Sequence, residues 1–197
     1  NRELEWRLVG MGRIVEVGPG RLGLLLGLAG VAAAAAGAFS WQRRAAHEAE
    51  QRAQAEAVAL LFQQTLPDSR GEVFRFESLR GRQVVANFWA SWCAPCVEEM
   101  PELSALATEV RASGTRFVGI GVDNPDAVAR FAEKLPVSYP LVVANATGAF
   151  LAARFGNQAG ALPYTVIIDP SGRVKTTILG RVSIESLREV IKSGDLH

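Results

Sequence analysis

The only two cysteines of the chain closely follow a short apolar run, in the sequence WCAPC at residues 92–96. The run itself, residues 84–89, reads VVANFW, which is typical of a strand buried on both faces. After the cysteines, apolar residues recur at three- and four-residue intervals, which predicts a helix over residues 93–111. The cysteine pair is therefore expected where a buried strand gives way to a helix, an order found in α/β folds.

The position of the cysteine pair suits reversible thiol chemistry. The free N–H groups and the dipole at a helix N-terminus stabilise a thiolate, here that of Cys93. Cys96 is predicted to be the more buried sulfur and is close enough to resolve a mixed disulfide formed on Cys93. Pro95 fits the first turn of the helix, where a missing N–H costs nothing. Because so short a disulfide loop adds little stability, the pair indicates exchange rather than a structural cross-link.

Other uses of two closely spaced cysteines need residues that the sequence does not supply. A zinc site would need two more ligands, and the two histidines, His47 and His197, are far from the pair in the sequence. A copper-handling site would similarly need a histidine in the body of the domain that contains the cysteines, and His197 is only its last residue. The 21 basic and 20 acidic side chains nearly balance and form no basic cluster, which argues against nucleic-acid binding. We therefore predict no metal, no nucleic acid, and no cofactor beyond a redox-active Cys93–Cys96 disulfide.

Residues 63–197 alternate short strands with helices, which predicts an α/β domain with a largely parallel central sheet. Two apolar runs near the C-terminus are joined by PSG at residues 170–172, residue types of a tight turn, and are predicted to form an antiparallel hairpin. Ser183 is predicted to cap the final helix. The predicted strands are residues 84–89, 116–122, 139–144, 165–169 and 174–179, and the predicted helices are residues 93–111, 126–135, 147–155 and 184–192.

Residues 22–42 contain no charged side chain and are flanked by arginines on both sides. Their length suits a transmembrane helix, and Trp41 stands where an interfacial aromatic residue would. A signal peptide cleaved after Ala38 is the alternative, although its apolar region would be unusually long. With an anchor at residues 22–42, residues 1–21 would be a cytoplasmic segment, of which residues 1–10 would be an upstream extension before Met11.

Residues 43–62 consist largely of strong helix formers without glycine or proline. They are predicted to form a polar helical stalk between the anchor and the domain. The predicted organisation is therefore a cytoplasmic segment, an anchor, a stalk and an α/β domain over residues 63–197.

Four stretches of the sequence carry a family resemblance: VVANFWASWCAPCVEEMPEL at residues 84–103, RFVGIGVD, GALPYT and VIIDPSGRV. They resemble the thioredoxin superfamily, and within it the membrane-tethered bacterial thiol-disulfide reductases of the TlpA, ResA and CcmG (DsbE) type. The resemblance covers most of residues 63–197. It implies a thioredoxin-like α/β fold, with a central mixed sheet flanked by helices and an N-terminal transmembrane helix.

The resemblance also implies roles for residues around the cysteines. Pro163 corresponds to the family's cis-proline, which lies against the active-site disulfide. This proline exposes the backbone of the preceding residue, here Leu162, for pairing with substrate. Together with Trp92 and Pro95, Leu162 would form the apolar surface on which a client's cysteine-bearing segment docks, with Trp89 behind it in the core.

A proton acceptor for the second cysteine is implied at Glu99. Thioredoxin has a buried aspartate six residues before its first cysteine, and the matching residue here, Asn87, cannot titrate. In the ResA-like group, a glutamate three residues after the second cysteine is implicated instead, and the residue at that position here is Glu99. This residue lies one helical turn from Cys96, whereas Glu98 points about 200 degrees away. Partial desolvation would raise the pKa of Glu99 and suit it to exchange a proton with Cys96. An ordinary acid of a helix's early turns is the alternative.

The resemblance implies a thiol-disulfide oxidoreductase of the bacterial cytoplasmic membrane, with a single span and its catalytic domain facing the periplasm or exterior. A Cys93/Cys96 dithiol would reduce disulfides in client proteins, apocytochrome c among them, in cytochrome c biogenesis. A transmembrane thiol electron donor of the CcdA/DsbD type would keep it reduced. Ala94 and Pro95 do not determine the direction of electron flow, so a thiol oxidase or isomerase of the DsbA type is an alternative. A peroxidase and a non-catalytic membrane-tethered binding module are further alternatives.

Overall fold

A computed structural model describes the backbone of residues 19–193 and the side chains of residues 35–193. The predicted cytoplasmic segment, residues 1–21, lies almost wholly outside the described residues, as does the extension over residues 1–10. The side chains of the predicted anchor, residues 22–42, are described only from residue 35. Within the described part of the chain, no helix combines the length and the apolar character needed to cross a bilayer.

The first element is a long helix, α1, Pro19–Phe62. The chain divides within this helix into two compact units, Asn1–Glu48 and Ala49–His197. In the second unit, the last turns of α1 place Val58, Leu61 and Phe62 in the hydrophobic core. These residues share one helical face, because they are spaced three and four positions apart. The predicted stalk is therefore not a spacer over its whole length, and the domain core begins before residue 63.

The described part of the second unit contains two sheets. The smaller one is an antiparallel hairpin of β1, Thr65–Pro67, and β2, Val73–Arg75, which the sequence pattern did not predict. The strands of the larger sheet are β3, Val84–Trp89; β4, Arg116–Gly121; β5, Leu141–Val143; β6, Tyr164–Ile168; and β7, Val174–Leu179. Their spatial order is β5-β4-β3-β6-β7.

The larger sheet is mixed. Strands β3, β4 and β5 pair in parallel, whereas β6 is antiparallel to both of its neighbours, β3 and β7. The hairpin predicted from the PSG turn is confirmed as the pair β6–β7. Because β6 reverses direction, the sheet is mixed, as the resemblance implies, and not largely parallel, as the alternation of elements predicts.

Helices cover both faces of the larger sheet. On one face lie buried side chains of α2, Ala94–Val110, α3, Pro125–Lys134, and α5, Ile184–Lys192. On the other face lie α4, Asn145–Arg154, and the end of α1. Helix α5 begins at the predicted cap, since the Ser183 side chain accepts the Ser186 N–H at 3.4 Å. The result is a three-layer α/β domain with β3 buried at its centre.

The segments that contain the cysteines and the cis-proline lie at the same edge of the larger sheet. Strand β3 ends there at Trp89, just before the cysteines, and it pairs with the end of β4 at Gly121. The start of β6 at Tyr164 pairs with Phe88, and the end of β7 at Leu179 pairs with Tyr164. The segments that contain Cys93, Asp123, Pro163 and Arg181 therefore all begin or end at this edge.

Candidate active site

The two cysteines form a disulfide at the start of α2. Cys93 is the N-cap residue: its backbone is extended, and its carbonyl accepts the Val97 N–H at 3.1 Å. Cys93 is 6% exposed and Cys96 is 0% exposed. The predicted order of burial is confirmed, so Cys93 carries the sulfur nearer to solvent.

The first turn of α2 favours negative charge at Cys93. Its backbone N–H groups have no partners within the helix, and the helix dipole places partial positive charge there. Pro95 lies exposed in this turn, where it removes no helical hydrogen bond. The turn, which the structure describes in full, contains no acidic side chain to offset this field. A thiolate at Cys93 is accordingly stabilised by its position.

The predicted docking residues differ in burial. The Leu162–Pro163 peptide bond is cis, as the resemblance implies, and Pro163 is buried. Leu162 packs against the core cluster that contains both cysteines. Trp92, next to Cys93, is 70% exposed, whereas Trp89 is fully buried. An exposed aromatic residue thus directly precedes the cysteine with the more accessible sulfur, and Trp89 belongs to the core.

Two hydrogen bonds of the Asn157 side chain, which the sequence did not predict, stabilise the loop before Pro163. The buried side chain of Asn157 donates to the Ala161 carbonyl at 2.8 Å and accepts the Ala161 N–H at 3.2 Å. These two bonds resemble one rung of an antiparallel ladder. They hold the backbone on the approach to Leu162, and an asparagine in a loop offers no pattern from which to predict them.

Glu99 lies on the buried side of α2. Its side chain is 0% exposed, and it stands one helical turn after the equally buried Cys96. One carboxylate oxygen, Oε1, accepts from Asn87 Nδ2 at 2.9 Å, and the other, Oε2, accepts the Val182 N–H at 3.0 Å. Burial raises the pKa of Glu99, and the two hydrogen bonds offset only part of that rise. The arrangement is that of a buried acid able to hold or release a proton near Cys96.

Asn87, which the resemblance matches to thioredoxin's buried aspartate, hydrogen-bonds the Glu99 carboxylate. Its Nδ2 group also donates to Thr165 Oγ1 at 3.0 Å. Its Oδ1 atom is buried and has no hydrogen-bond partner among the described residues. Rotating the amide would present this acceptor to a protonated Glu99 carboxyl. Asn87 is therefore able to hydrogen-bond Glu99 in either protonation state.

Asp123, to which the sequence analysis assigned no role, anchors the loop that leads to the cysteines. Its Oδ2 atom accepts the Ser91 N–H at 3.0 Å and the Ser91 hydroxyl at 2.6 Å. Its Oδ1 atom accepts the Asn124 N–H at 2.8 Å. Burial alone would raise the pKa of Asp123, but these bonds outweigh it and lower the pKa. The carboxylate is thus a charged acceptor that ties the end of β4 to the active-site loop.

We expect Asp123→Ala to lower the free energy of unfolding by about 2 kcal/mol at neutral pH, because Ser91 loses a charged acceptor. A lowered folded-state pKa contributes stability above the unfolded-state pKa, and that stability is lost as the pH falls through the folded-state pKa. The difference from wild type should therefore shrink in acid. Urea unfolding at neutral pH and in steps down to about pH 2 measures both effects.

Asp126→Ala is the matched control for this substitution, because Asp126 is an exposed acid in the first turn of α3. Its loss should cost less than about 1 kcal/mol. An equal cost for the two variants, or a cost for Asp123→Ala that does not change with pH, would contradict the anchoring role.

A metal centre has no support in the described side chains. Within residues 35–193, no group of three or more histidine, cysteine, aspartate or glutamate side chains is placed to hold a metal ion. The chemistry that this edge of the sheet offers is that of the two sulfurs and the buried carboxyl.

Comparison with known proteins points to the same chemistry. Residues 57–177 match the family model of the AhpC/TSA family. The thiol-disulfide oxidoreductase ResA of Geobacillus kaustophilus is 32% identical over 129 residues, which cover 65% of this chain and 72% of that protein.

Solved structures of disulfide oxidoreductases have a similar fold. MTB DsbF, in its mixed oxidised and reduced forms, matches with a TM-score of 0.59 and 28% identity, over 68% of this chain and 96% of that one. A secreted Mycobacterium tuberculosis disulfide oxidoreductase homologous to E. coli DsbE matches with a TM-score of 0.55 and 25% identity, over 66% and 95% of the two chains. The chain therefore belongs to the AhpC/TSA family, and within it to the thioredoxin-like thiol-disulfide oxidoreductases of the ResA and DsbE type.

Proposed function

We propose that this protein is a reductase in which a Cys93/Cys96 dithiol transfers two electrons to disulfides of client proteins. The observation that carries the proposal is the fully buried Glu99 carboxyl, one helical turn from Cys96. A buried sulfur attacks only as a thiolate, so a proton acceptor on the same buried face meets a requirement of the second step.

The first step takes place at Cys93. Its thiolate attacks one sulfur of the client disulfide, the client's S–S bond breaks, and a mixed disulfide joins Cys93 to the client. The other client sulfur leaves as a thiolate and takes up a proton from water. The greater exposure of Cys93 and the position of its sulfur at the start of α2 support this assignment.

The second step takes place at Cys96. Its thiol gives its proton to Glu99, and the resulting thiolate attacks the Cys93 sulfur of the mixed disulfide. The Cys93–Cys96 disulfide forms, and the second client sulfur leaves as a thiolate, which the proton held on Glu99 can neutralise. Two thiols of this protein are oxidised, and one client disulfide is reduced to two thiols.

Docking of the client would use the surface beside Cys93. The exposed Trp92 ring and Pro95 offer apolar contact, and we propose that the Leu162 backbone pairs with an extended client segment, as the family resemblance implies. Buried Pro163 would hold that backbone in register, with Asn157 bracing the loop before it.

We propose that the domain works on the outer side of the bacterial cytoplasmic membrane, tethered by residues 22–42. The uncharged stretch in the sequence supports the tether, and the similarity to a secreted disulfide oxidoreductase supports an exterior location. The proposed client class is apocytochrome c, and the proposed electron donor is a transmembrane thiol protein of the CcdA/DsbD type. Both rest on the resemblance to the ResA and CcmG (DsbE) group.

A peptide with the haem-attachment pattern Cys-x-x-Cys-His tests this function. The reduced protein should reduce the peptide's disulfide catalytically when a dithiol donor is present, with a reduction potential nearer to thioredoxin's, about −270 mV, than to DsbA's, about −120 mV. A peptide with both cysteines replaced by serine is the control and should leave the protein reduced. A potential near the oxidising value would favour the oxidase alternative, and binding without turnover would favour the binding module.

A further inference from the structure

Residues 180–182, the segment between β7 and α5, hydrogen-bond two parts of the candidate site, the cis-proline and the buried acid. The Gly180 N–H donates to the carbonyl of Pro163 at 2.8 Å. Two residues later, the Val182 N–H donates to Glu99 Oε2 at 3.0 Å. One short segment therefore hydrogen-bonds the cis-proline backbone and the buried acid.

The middle residue of this segment, Arg181, ties it to the outer face of α2. The guanidinium lies 3.2 Å from Glu98 Oε2 and 3.8 Å from Glu102 Oε1. Glu98 and Glu102 are one turn apart on that helix and flank Glu99 in the sequence. Arg181 thus links the segment to the exposed face of α2, while Val182 links it to Glu99 on the buried face.

We propose that Arg181 is a positioning residue: its ion pairs with Glu98 and Glu102 hold the Val182 N–H on the Glu99 carboxylate. This inference rests on the proposed function only in so far as Glu99 takes part in exchange. Half-exposed ion pairs are individually weak. Arg181 therefore contributes little stability of its own. Its role is to keep the segment 180–182 in the position at which the Val182 N–H reaches the buried Glu99 carboxylate.

Several groups face Glu99 from the elements packed against it. From α2 itself, the negative charge of Glu102 raises the pKa of Glu99. From the segment 180–182, the Arg181 charge lowers it. Before β5, burial raises the pKa of Tyr139 and the Glu99 charge raises it further, so the phenol stays neutral. From β3, the contact comes from the neutral side chain of Asn87, which in turn donates to the neutral Thr165 hydroxyl of β6.

Removing Arg181 should act on Glu99 in one direction. The lost positive charge no longer favours the carboxylate, and a loosened Val182 N–H no longer stabilises it. Both effects raise the pH at which Glu99 titrates. A residue that merely stabilised the fold would leave this titration unchanged.

The experiment uses the full oxidised chain and three variants, Arg181→Ala, Arg181→Lys and Arg188→Ala. Arg188 is the matched control, since it joins α5 to α2 through Glu109, at 3.1 Å, away from Glu99. Hydrogen exchange at the Val182 amide and the NMR titration of the Glu99 carboxyl are measured for each. In Arg181→Ala we expect exchange at Val182 to accelerate about fivefold and the titration to move to higher pH. Arg181→Lys should restore at least half of both changes, and Arg188→Ala should cause neither.

Three results would overturn the proposal. One is unchanged exchange at Val182 in Arg181→Ala, even if the titration moves, because Arg181 would then act by charge alone. Another is equal acceleration in Arg188→Ala, and the third is a failure of Arg181→Lys to restore either readout. Neither readout requires catalysis, so the proposed function and the role of Arg181 fail separately.

Discussion

The variant Cys96→Ser should accumulate as a covalent complex with its clients, joined by a disulfide to Cys93. The first step of exchange needs only the Cys93 thiolate, whereas release of the client needs the sulfur of Cys96. A serine hydroxyl cannot replace that sulfur, so the reaction stops at the mixed disulfide. Non-reducing electrophoresis followed by mass spectrometry would detect the adducts and identify the bound partners.

The matched control is Cys93→Ser, which keeps the sulfur at position 96. Because Cys96 is 0% exposed, its sulfur cannot reach a client disulfide, and no adducts should form. Disulfide exchange should fall to the uncatalysed rate in this variant. Equal trapping by the two variants would show that the attacking cysteine is assigned wrongly.

Neither cysteine substitution should unfold the domain. The disulfide joins residues with a sequence separation of 3, for which loop closure accounts for about 2 kcal/mol of stability. That is small beside the roughly 5–15 kcal/mol that stabilises a typical domain. Circular dichroism of both variants would verify that loss of activity is not loss of fold.

The elements around the site could be predicted where periodicity is strong. Strand β3 begins and ends at the predicted residues because its run is apolar except for Asn87, as is typical of a strand buried on both faces. Helix α5 begins at the predicted Ser183 cap. The hairpin β1–β2 escaped prediction because its two strands have only three residues each and are mostly exposed, which leaves no periodic pattern.

The burial of Glu99 could be predicted from helical geometry combined with the family resemblance, whereas its role in proton transfer stays a prediction. Glu99 is fully buried, whereas the side chain of Glu98 is 62% exposed and pairs with Arg181. The partners of Glu99 could not be predicted, because the Val182 contact uses a backbone N–H, which every residue except proline carries. The role of Asp123 was also hidden, since its partner Ser91 is 32 positions away and the two meet only through the pairing of β3 with β4.

We expect Glu99→Gln to slow the resolving step about 100-fold at neutral pH, because Cys96 loses its proton acceptor. The dependence of that step on carboxyl ionisation should disappear, and only the thiol ionisations should shape its pH profile. Stopped-flow measurement of mixed-disulfide resolution over a pH series gives both quantities. The substitution should be tolerated, because Asn87 Oδ1 has no hydrogen-bond partner in the described part of the chain and can accept from the new amide after rotation.

The same substitution should change how the free energy of unfolding depends on pH. The direction of this change distinguishes Glu99 from an ordinary surface acid. Since the folded-state pKa of Glu99 is raised, its stabilising contribution is full below the unfolded-state pKa and is lost as the pH rises through the folded-state pKa. Relative to wild type, Glu99→Gln should therefore become more stable as the pH rises. Urea unfolding over the pH range in which carboxyls titrate measures the difference.

Glu109→Gln is the control on the same helix and should show the opposite sign. Hydrogen bonds from Arg188 lower the pKa of Glu109, so its contribution is present above the unfolded-state pKa and is lost in acid. The resolving step should be unchanged in this variant. If Glu99→Gln instead follows Glu109→Gln in both stability and rate, Glu99 is an ordinary acid of the early helical turns. The proton released by Cys96 would then have to go directly to water.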